Sequence, residues 1–385
     1  MWFRNLRLYR LPAAGSIAVE ALVEAMARFA TRDMGGQEAK HLGWAPPAGR
    51  KSEILVHAIQ GQFLLTMQRQ ERILPSSVVK EEVEARCEEI EAVRGGPVPR
   101  AEKMSIKEQV YEEFLPRAFV RSHRVDVWWD MAGGMIAVNT PSAKRAEEAL
   151  DLLRATLGSL KVVPVATHSL PMRVMTHWLQ DPSLRPSWLE VGDSVQLREQ
   201  GDDGKVTAKH VDLDTDDMQR LLESGRQAAQ LSITLDERVS LTLTDDLTLK
   251  GLRFSDALLD EASQADDGDD AIIRMETDFI LMANALRDVI KLLLVGLGGE
   301  AVPELKSLEE AAPSPASPGT DDPGPLLDEV RGFVIESRRA SISAVQRHFK
   351  IGYNRAARLI EDLERQGVVS PMDNSGSRKV LKEAA

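Results

Sequence analysis

Residues 336–371 read ESRRASISAVQRHFKIGYNRAARLIEDLERQGVVSP. Just before it, Leu326–Ser337 predicts a first helix. Ser341 is suited to N-cap a second, Ser341–Phe349, and Tyr353–Gln366 predicts a third, with Gly352 in the turn between them. Gly367 closes the third helix. Val368-Val369 and Lys379-Val380-Leu381 then pair as a two-stranded wing around Asn374–Gly376. Helix, helix, short turn, helix and wing is the order of a winged helix-turn-helix domain.

The third helix sorts by angle. At about 100° per residue, Asn354, Arg358, Glu361 and Arg365 fall within roughly 40° of one line. Ala356, Leu359, Ile360 and Leu363 cluster on the opposite side as a core face. Asn354, Arg358 and Glu361 form a base-reading set: Asn suits adenine, Arg suits guanine, and Glu can accept from cytosine. Arg338, Arg339, Arg347, Arg355, Arg378 and Lys379 are suited to phosphates, which position a domain on DNA without specifying sequence. A solvated face on a protein-binding winged helix would show the same periodicity.

Upstream, residues 299–325, GEAVPELKSLEEAAPSPASPGTDDPGP, lose all apolar periodicity and read as a disordered linker. As a random coil it would span roughly 25–30 Å. The expected organisation is therefore a body at 1–298, a linker at 299–325 and a reader at 326–385. The formal charge of −12 argues against nucleic acid as a partner, but it is unevenly spread. Residues 326–385 carry 11 Lys and Arg against 8 Asp and Glu, a net of +3, which leaves −15 for the rest. Such a body can still bind DNA where its cations converge on one surface.

The body mixes strands and helices in an α+β pattern. Strands are expected at Trp2–Arg10, Glu53–Ile59, Gln62–Glu71, Val125–Asp130, Met135–Asn139 and Lys161–Ala166. A second run follows at Val195–Arg198, Lys205–His210, Ala229–Leu235, Arg238–Thr244 and Leu247–Phe254. Hairpins turn at Gln60-Gly61 and Gly133-Gly134. Helices are expected at Ser16–Phe29 (Ser16 as N-cap), Ser76–Glu91, Ser105–Leu115 and Ser142–Leu157. Met275–Val295 is a long helix with an apolar stripe at 275, 279, 282, 286, 289 and 293, expected as core or dimer contact.

Several chemistries are set aside. The histidines at 41, 57, 123, 168, 177, 210 and 348 show no paired-ligand spacing, and Cys87 stands alone, so no metal site is expected. Asp126 and Asp130 flank Trp128 and are expected on a solvent-exposed strand face. DDGDD at 266–270 lacks calcium-loop spacing. Gly296, Gly298 and Gly299 follow a helix and cap it, so they do not cradle phosphate. No cofactor motif and no catalytic arrangement is evident, so an enzyme is not expected. No run of eighteen apolar residues could cross a membrane, and MWFRNLRLYRL lacks a signal-peptide core, which points to the cytoplasm.

Two resemblances sharpen this. The 336–371 stretch resembles the gamma domain of FtsK/SpoIIIE-type DNA translocases over 326–383. That resemblance implies reading of a short G-rich chromosome-orienting sequence by Asn354, Arg358 and Glu361, and contact with a Xer-type recombinase. No phosphate-loop motif of a translocase motor occurs in the chain, so it would be a reader without an engine. The body resembles the RdgC family, on MWFRNLRLYRLP at the start, LGWAPP at 42–47, ILPSSVV at 73–79, LPRAFVR at 115–121, RMETDFILM at 274–282 and GLGGEA at 296–301. This resemblance implies a multi-lobed body of antiparallel sheets with flanking helices. It implies a nucleoid-associated homodimeric ring around duplex DNA, basic within, that restrains RecA. It also implies a ring gate or inner surface at Arg117, Phe119, Arg121 and Arg124, with Phe119 at the closing dimer contact, and a DNA contact at Lys209. In KVTAKHVD, His210 and Val211 depart from the family's polar pair.

The expectation is thus a non-enzymatic protein that clamps double-stranded DNA and carries a sequence reader. The rival is a protein-interaction adaptor that contacts RecA filaments or a Xer-type recombinase, with DNA binding secondary.

Overall fold

The computed structural model describes residues 2–11, 17–49, 52–199, 204–264, 270–301 and, towards the C-terminus, 324–337, 345, 348–349, 359–360, 362–370 and 380–381. Contacts divide the chain into two units, Met1–Leu305 and Lys306–Ala385.

The first unit is built on strands β1 (Asn5–Arg10), β2 (Lys40–Trp44), β3 (His57–Ile59), β4 (Gln62–Ile73), β5 (Phe119–Asp130), β6 (Met135–Val138), β7 (Val163–Pro164), β8 (Leu189–Glu199), β9 (Lys205–Lys209), β10 (Arg226–Leu235), β11 (Val239–Thr244) and β12 (Leu249–Phe254). They form one sheet in the order β2-β4-β5-β6-β1-β12-β11-β10-β8-β9, with β3 on β4 and β7 on β1. Every ladder is antiparallel. β1 joins the halves: Asn5 and Leu6 pair with β12, and Arg7–Arg10 pair with β6.

The helices are α1 (Val19–Ala27), α2 (Ser76–Arg94), α3 (Arg100–Phe114), α4 (Ala143–Leu157), α5 (Pro171–Gln180), α6 (Asp216–Glu223), α7 (Asp256–Gln264) and α8 (Ala271–Gly296). α1 and α4 share a core with one face of the β4–β5–β6 sheet, which contributes Phe63, Leu65, Val127, Trp129 and Ile136. α8 lies in a second core with Leu64, Trp128 and the β8–β12 strands. Its expected stripe is core throughout, since Met275, Phe279, Met282, Leu286, Val289 and Leu293 are all buried. Polar contacts fix its register: Gln62 donates to Asn284 at 3.1 Å, and His57 Nδ1 lies 2.6 Å from Glu276.

Some expectations needed adjustment. α1 begins at Val19 with Ala18 in the N-cap position and no side-chain cap, whereas Ser16 lies outside the described residues. In the expected strand at 53–59, only His57–Ile59 is strand. The turn after it does fall at Gln60-Gly61, both left-handed (φ 51° and 73°), as a tight hairpin of this type requires. β5 begins at Phe119 rather than Val125 because each of its residues finds a partner on β4, from Ile73↔Phe119 to Gln62↔Asp130. β2 was missed: it is short and holds Gly43, where a Cβ would lie 2.7 Å from the Thr31 backbone crossing it. Glu300 and Ala301, placed in the linker by composition, belong to the body. Glu300 pairs with Arg10, and the Ala301 amide donates to Ala166 at 2.9 Å.

In the second unit, α9 (Gly324–Ser337) packs Val330 and Val334 with Val345, Leu359, Ile360, Leu363, Val368 and Val369. The apolar face expected of the third helix is thus buried at its described positions. Gly367 turns left-handed (φ 67°), and Val369 bridges Val380 antiparallel, as the wing requires. The fold class is α+β with a C-terminal winged helix.

Because Phe279 is fully buried in the core that α8 shares with the sheet, Phe279→Ala should lower body stability by about 3–5 kcal/mol in urea unfolding. A loss under 1 kcal/mol would show that α8 does not organise this core.

Candidate nucleic-acid interface

The β4–β5 hairpin has two characters. Its inner half, near Gln62 and Asp130, is buried; its outer half, Arg69–Ile73 against Phe119–His123, is a polar arm that leads into α2 and α3. Cross-strand register puts Glu71 opposite Arg121 and Ile73 opposite Phe119 on one face. Phe119 is 86% exposed, and Ile73 and Val120 beside it are also exposed. A phenylalanine that open is placed for contact with another surface.

The arginines of the arm differ in availability. Arg121 donates to Glu71 (Nε to Oε1, 3.1 Å), and Arg69 reaches the same carboxylate at 2.7 Å. Arg121's hydrogen bond, the largest effect, holds the Glu71 carboxyl below its usual range. Glu148 extends the network to Lys40 at 2.5 Å. Arg121 is therefore locally neutralised. Arg124 instead donates to the carbonyls of Pro46 and Pro47, which cancel no charge. Arg117 is exposed in the single 3-10 turn before β5, near Glu113.

Arg72 was not singled out from the sequence, yet it organises the arm. Its guanidinium donates to the carbonyls of Glu38 (3.2 Å), Pro116 (3.0 Å), Ala118 (3.2 Å) and Gly35 (3.3 Å). Four carbonyls from two loops thereby fix the backbone leading into Phe119. Nothing local in the sequence marks it, since its partners lie 34 to 46 residues away, on both sides of it in the chain.

Lys209 is exposed on β9, at the far edge of the sheet, opposite Ser194. It is not brought to the arm within one chain. His210 beside it adopts a left-handed backbone (φ 56°) and turns Nδ1 to Asp193 at 2.8 Å. The other anticipated contacts, Asn354, Arg358, Glu361, Arg338, Arg339, Arg347, Arg355, Arg378 and Lys379, lie outside the described residues. Arg365, on the same helical face, is exposed and pairs with Asp362 at 2.5 Å.

Asp126 and Asp130 correct the sequence reading. Both are buried (9% and 1% exposed), because α8 and its neighbours cover the face expected to be open. Arg287 binds Asp130 through two hydrogen bonds, at 2.8 and 2.9 Å, and the Gly133 amide donates a third at 2.9 Å. Asp126 accepts from Thr66 at 2.8 Å and from Asn139 at 3.4 Å. Burial outweighs these bonds and pushes its carboxyl above the usual range. Among the described residues no group of three or more His, Cys, Asp or Glu could hold a metal ion, and no helix is long and apolar enough to cross a membrane.

Fold and arm together define a two-unit chain: an antiparallel-sheet body with an aromatic-tipped, cation-bearing hairpin, and a winged helix. Residues 1–300 match the family described as "Putative exonuclease, RdgC", and residues 321–383 match the "Ftsk gamma domain" family. A protein from Yersinia enterocolitica described as "Recombination-associated protein RdgC" is 37% identical over 302 residues, covering 78% of this chain and 99% of the relative. Proteins of the same description from Yersinia pestis and Salmonella paratyphi B are 36% and 35% identical over the same coverage. The chain belongs to the RdgC family.

The raised Asp126 carboxyl has a sign that can be checked. A folded-state value above the unfolded one makes the body relatively more stable below the ordinary carboxylate range. That advantage is lost as pH rises through the raised folded value. Asp126→Asn, which keeps an acceptor for Thr66, should be neutral or stabilising at pH 7 and flatten this part of the stability–pH curve in urea titrations. Unchanged pH dependence would show that Asp126 is not the group responsible.

Proposed function

We propose that this chain is a non-enzymatic DNA-binding protein of recombination. Two copies of the body close into a ring around duplex DNA without sequence preference, and the tethered winged helix adds sequence preference. The observation that carries this reading is the arm: a nearly fully exposed Phe119, approached by the Arg72 clamp, next to Arg117 and Arg124, neither of which, among the described residues, has a carboxylate within 4 Å. In this reading Phe119 meets a second copy where the ring closes, and Arg117, Arg124 and Lys209 face the phosphates. The relatives described as recombination-associated support the process assigned, and restraint of RecA is its proposed outcome. The protein would act in the cytoplasm, on the nucleoid.

The engagement of Asp126 and Asp130 in internal contacts supports a binding protein over a nuclease, despite the wording of the family description. Incubation of labelled linear duplex with the protein and magnesium should leave it intact; progressive loss of nucleotides from the ends would overturn the non-enzymatic assignment.

The apolar side chains on the same arm favour a second reading, in which the chain is an adaptor that touches RecA filaments or a Xer-type recombinase. The neutralisation of Arg121 by Glu71 points the same way.

Within the first reading, Asn354, Arg358 and Glu361 read bases, while Arg338, Arg339, Arg347, Arg355, Arg378 and Lys379 hold phosphates. Two linked modules bind one duplex with avidity, so the reader biases where the clamp sits. Arg358→Ala in the full chain should cost roughly 1–3 kcal/mol on a G-containing site and leave salt-dependent binding to random duplex intact. Equal loss on both duplexes in a bandshift titration would exclude base reading by Arg358.

A further inference from the structure

The helical hairpin α2–α3 at the end of the arm has its own small core of Val79, Val83, Cys87, Ile106 and Val110. Along one side runs a groove of about 830 Å³, large enough for several side chains. Its apolar surface comes from Leu74, Val79, Val83, Met104 and Tyr111, of which Met104 and Tyr111 are exposed.

Charge is segregated around this groove. α2 and α3 together carry ten carboxylates and six cations, so the lobe as a whole is acidic. Yet four of those cations, Lys80, Arg100, Lys103 and Lys107, line the groove, and none of the carboxylates does. The two remaining cations are taken by acids elsewhere: Arg86 by Glu82 and Glu113, both at 2.8 Å, and Arg94 by Glu102 at 2.6 Å. Lys80 has only a loose contact with Glu84 at 3.6 Å. Among the described residues no carboxylate lies within 4 Å of Arg100, Lys103 or Lys107.

We propose that this groove docks an acidic peptide segment of a partner protein, which buries one or two large apolar side chains against Met104, Tyr111 and Val83 while its carboxylates meet Arg100, Lys103 and Lys107. The apolar floor decides between macromolecular classes. A duplex backbone offers phosphates but no apolar ridge, so cations alone would serve it. An acidic peptide with hydrophobic anchors uses both parts of the groove, and complementary charge gives it specificity and a fast approach.

The full chain can be tested by fluorescence anisotropy with a fluorescein-labelled peptide, Asp-Asp-Leu-Asp-Asp-Phe-Asp-Asp-Leu, and its analogue with serine at the three apolar positions. The apolar peptide should bind, and the serine analogue should bind at least about fivefold more weakly. Lys103→Glu combined with Lys107→Glu should weaken the apolar peptide about tenfold or more, whereas Arg220→Glu, a cation exposed on α6, should not. Met104→Gln, at an exposed position, should cause a smaller loss with the thermal unfolding curve unchanged. Equal binding of both peptides, no binding, or an equal effect of Arg220→Glu would overturn the proposal. So would displacement of the peptide by a short duplex, which would make the groove a DNA surface. Peptide affinity that falls as protein concentration rises would also overturn it, by showing that a second copy covers the groove.

Discussion

Twelve consecutive cross-strand pairs between β4 and β5 hold two otherwise unrelated parts of the body in one piece. At the inner end the pairs Gln62↔Asp130 and Leu64↔Trp128 lie under α8, where Gln62 meets Asn284 and Asp130 meets Arg287. At the outer end the same register carries Arg121 to Glu71 and Phe119 to Ile73. A slip of one residue would exchange the faces, moving Trp128 out of its core and Phe119 off its side of the arm. The arm is therefore as well oriented as the core from which it grows.

The Arg287–Asp130 pair shows how that core is kept in register. Asp130 is almost fully buried, and its three hydrogen bonds satisfy it locally. Such a pair adds little net stability against an apolar replacement, but losing one partner typically costs about 3–5 kcal/mol. Its role is to select one placement of α8 on the sheet. Asp126, four residues earlier on the same strand, accepts hydrogen bonds only from the neutral Thr66 and Asn139; burial pushes its carboxyl up despite these bonds and the nearby charge of Arg124. Of these two carboxylates on one strand face, Asp130 is held by Arg287 through two hydrogen bonds, whereas no arginine hydrogen-bonds to Asp126.

Much of this was legible in the sequence, for physical reasons. The α8 stripe repeats over five turns, and a long amphipathic period has few competing interpretations. In the second unit, Gly367, the apolar Leu359, Ile360 and Leu363, and the Val368–Val369 pair fell where the winged-helix order required. The first half of β5 was hidden because FVRSHR has no apolar alternation; its strand state comes from β4. α5, α6 and α7 were missed because they are short, ten residues or fewer, and owe their stability to packing. The burial of Asp126 and Asp130 was illegible because the arginine that holds Asp130 lies 157 residues further along the chain. Of the candidate site, sequence marked Phe119 and the arginines, but not the pairing that leaves Arg124 charged and Arg121 neutralised.

An acidic chain that binds DNA must hold its cations apart from its carboxylates, and the body does so unevenly. Arg121 is spent on Glu71, Arg72 on carbonyls, and Lys209 stands at the opposite sheet edge from the arm. Within one chain these positions do not converge; a second copy is what would bring several of them around one duplex. Encirclement of a duplex by this body therefore requires a dimer. Sedimentation equilibrium of the full chain, alone and with a short duplex, tests it most directly. Twice the chain mass is expected in both conditions, with one duplex per two chains. A chain that remains strictly monomeric with and without DNA would contradict it.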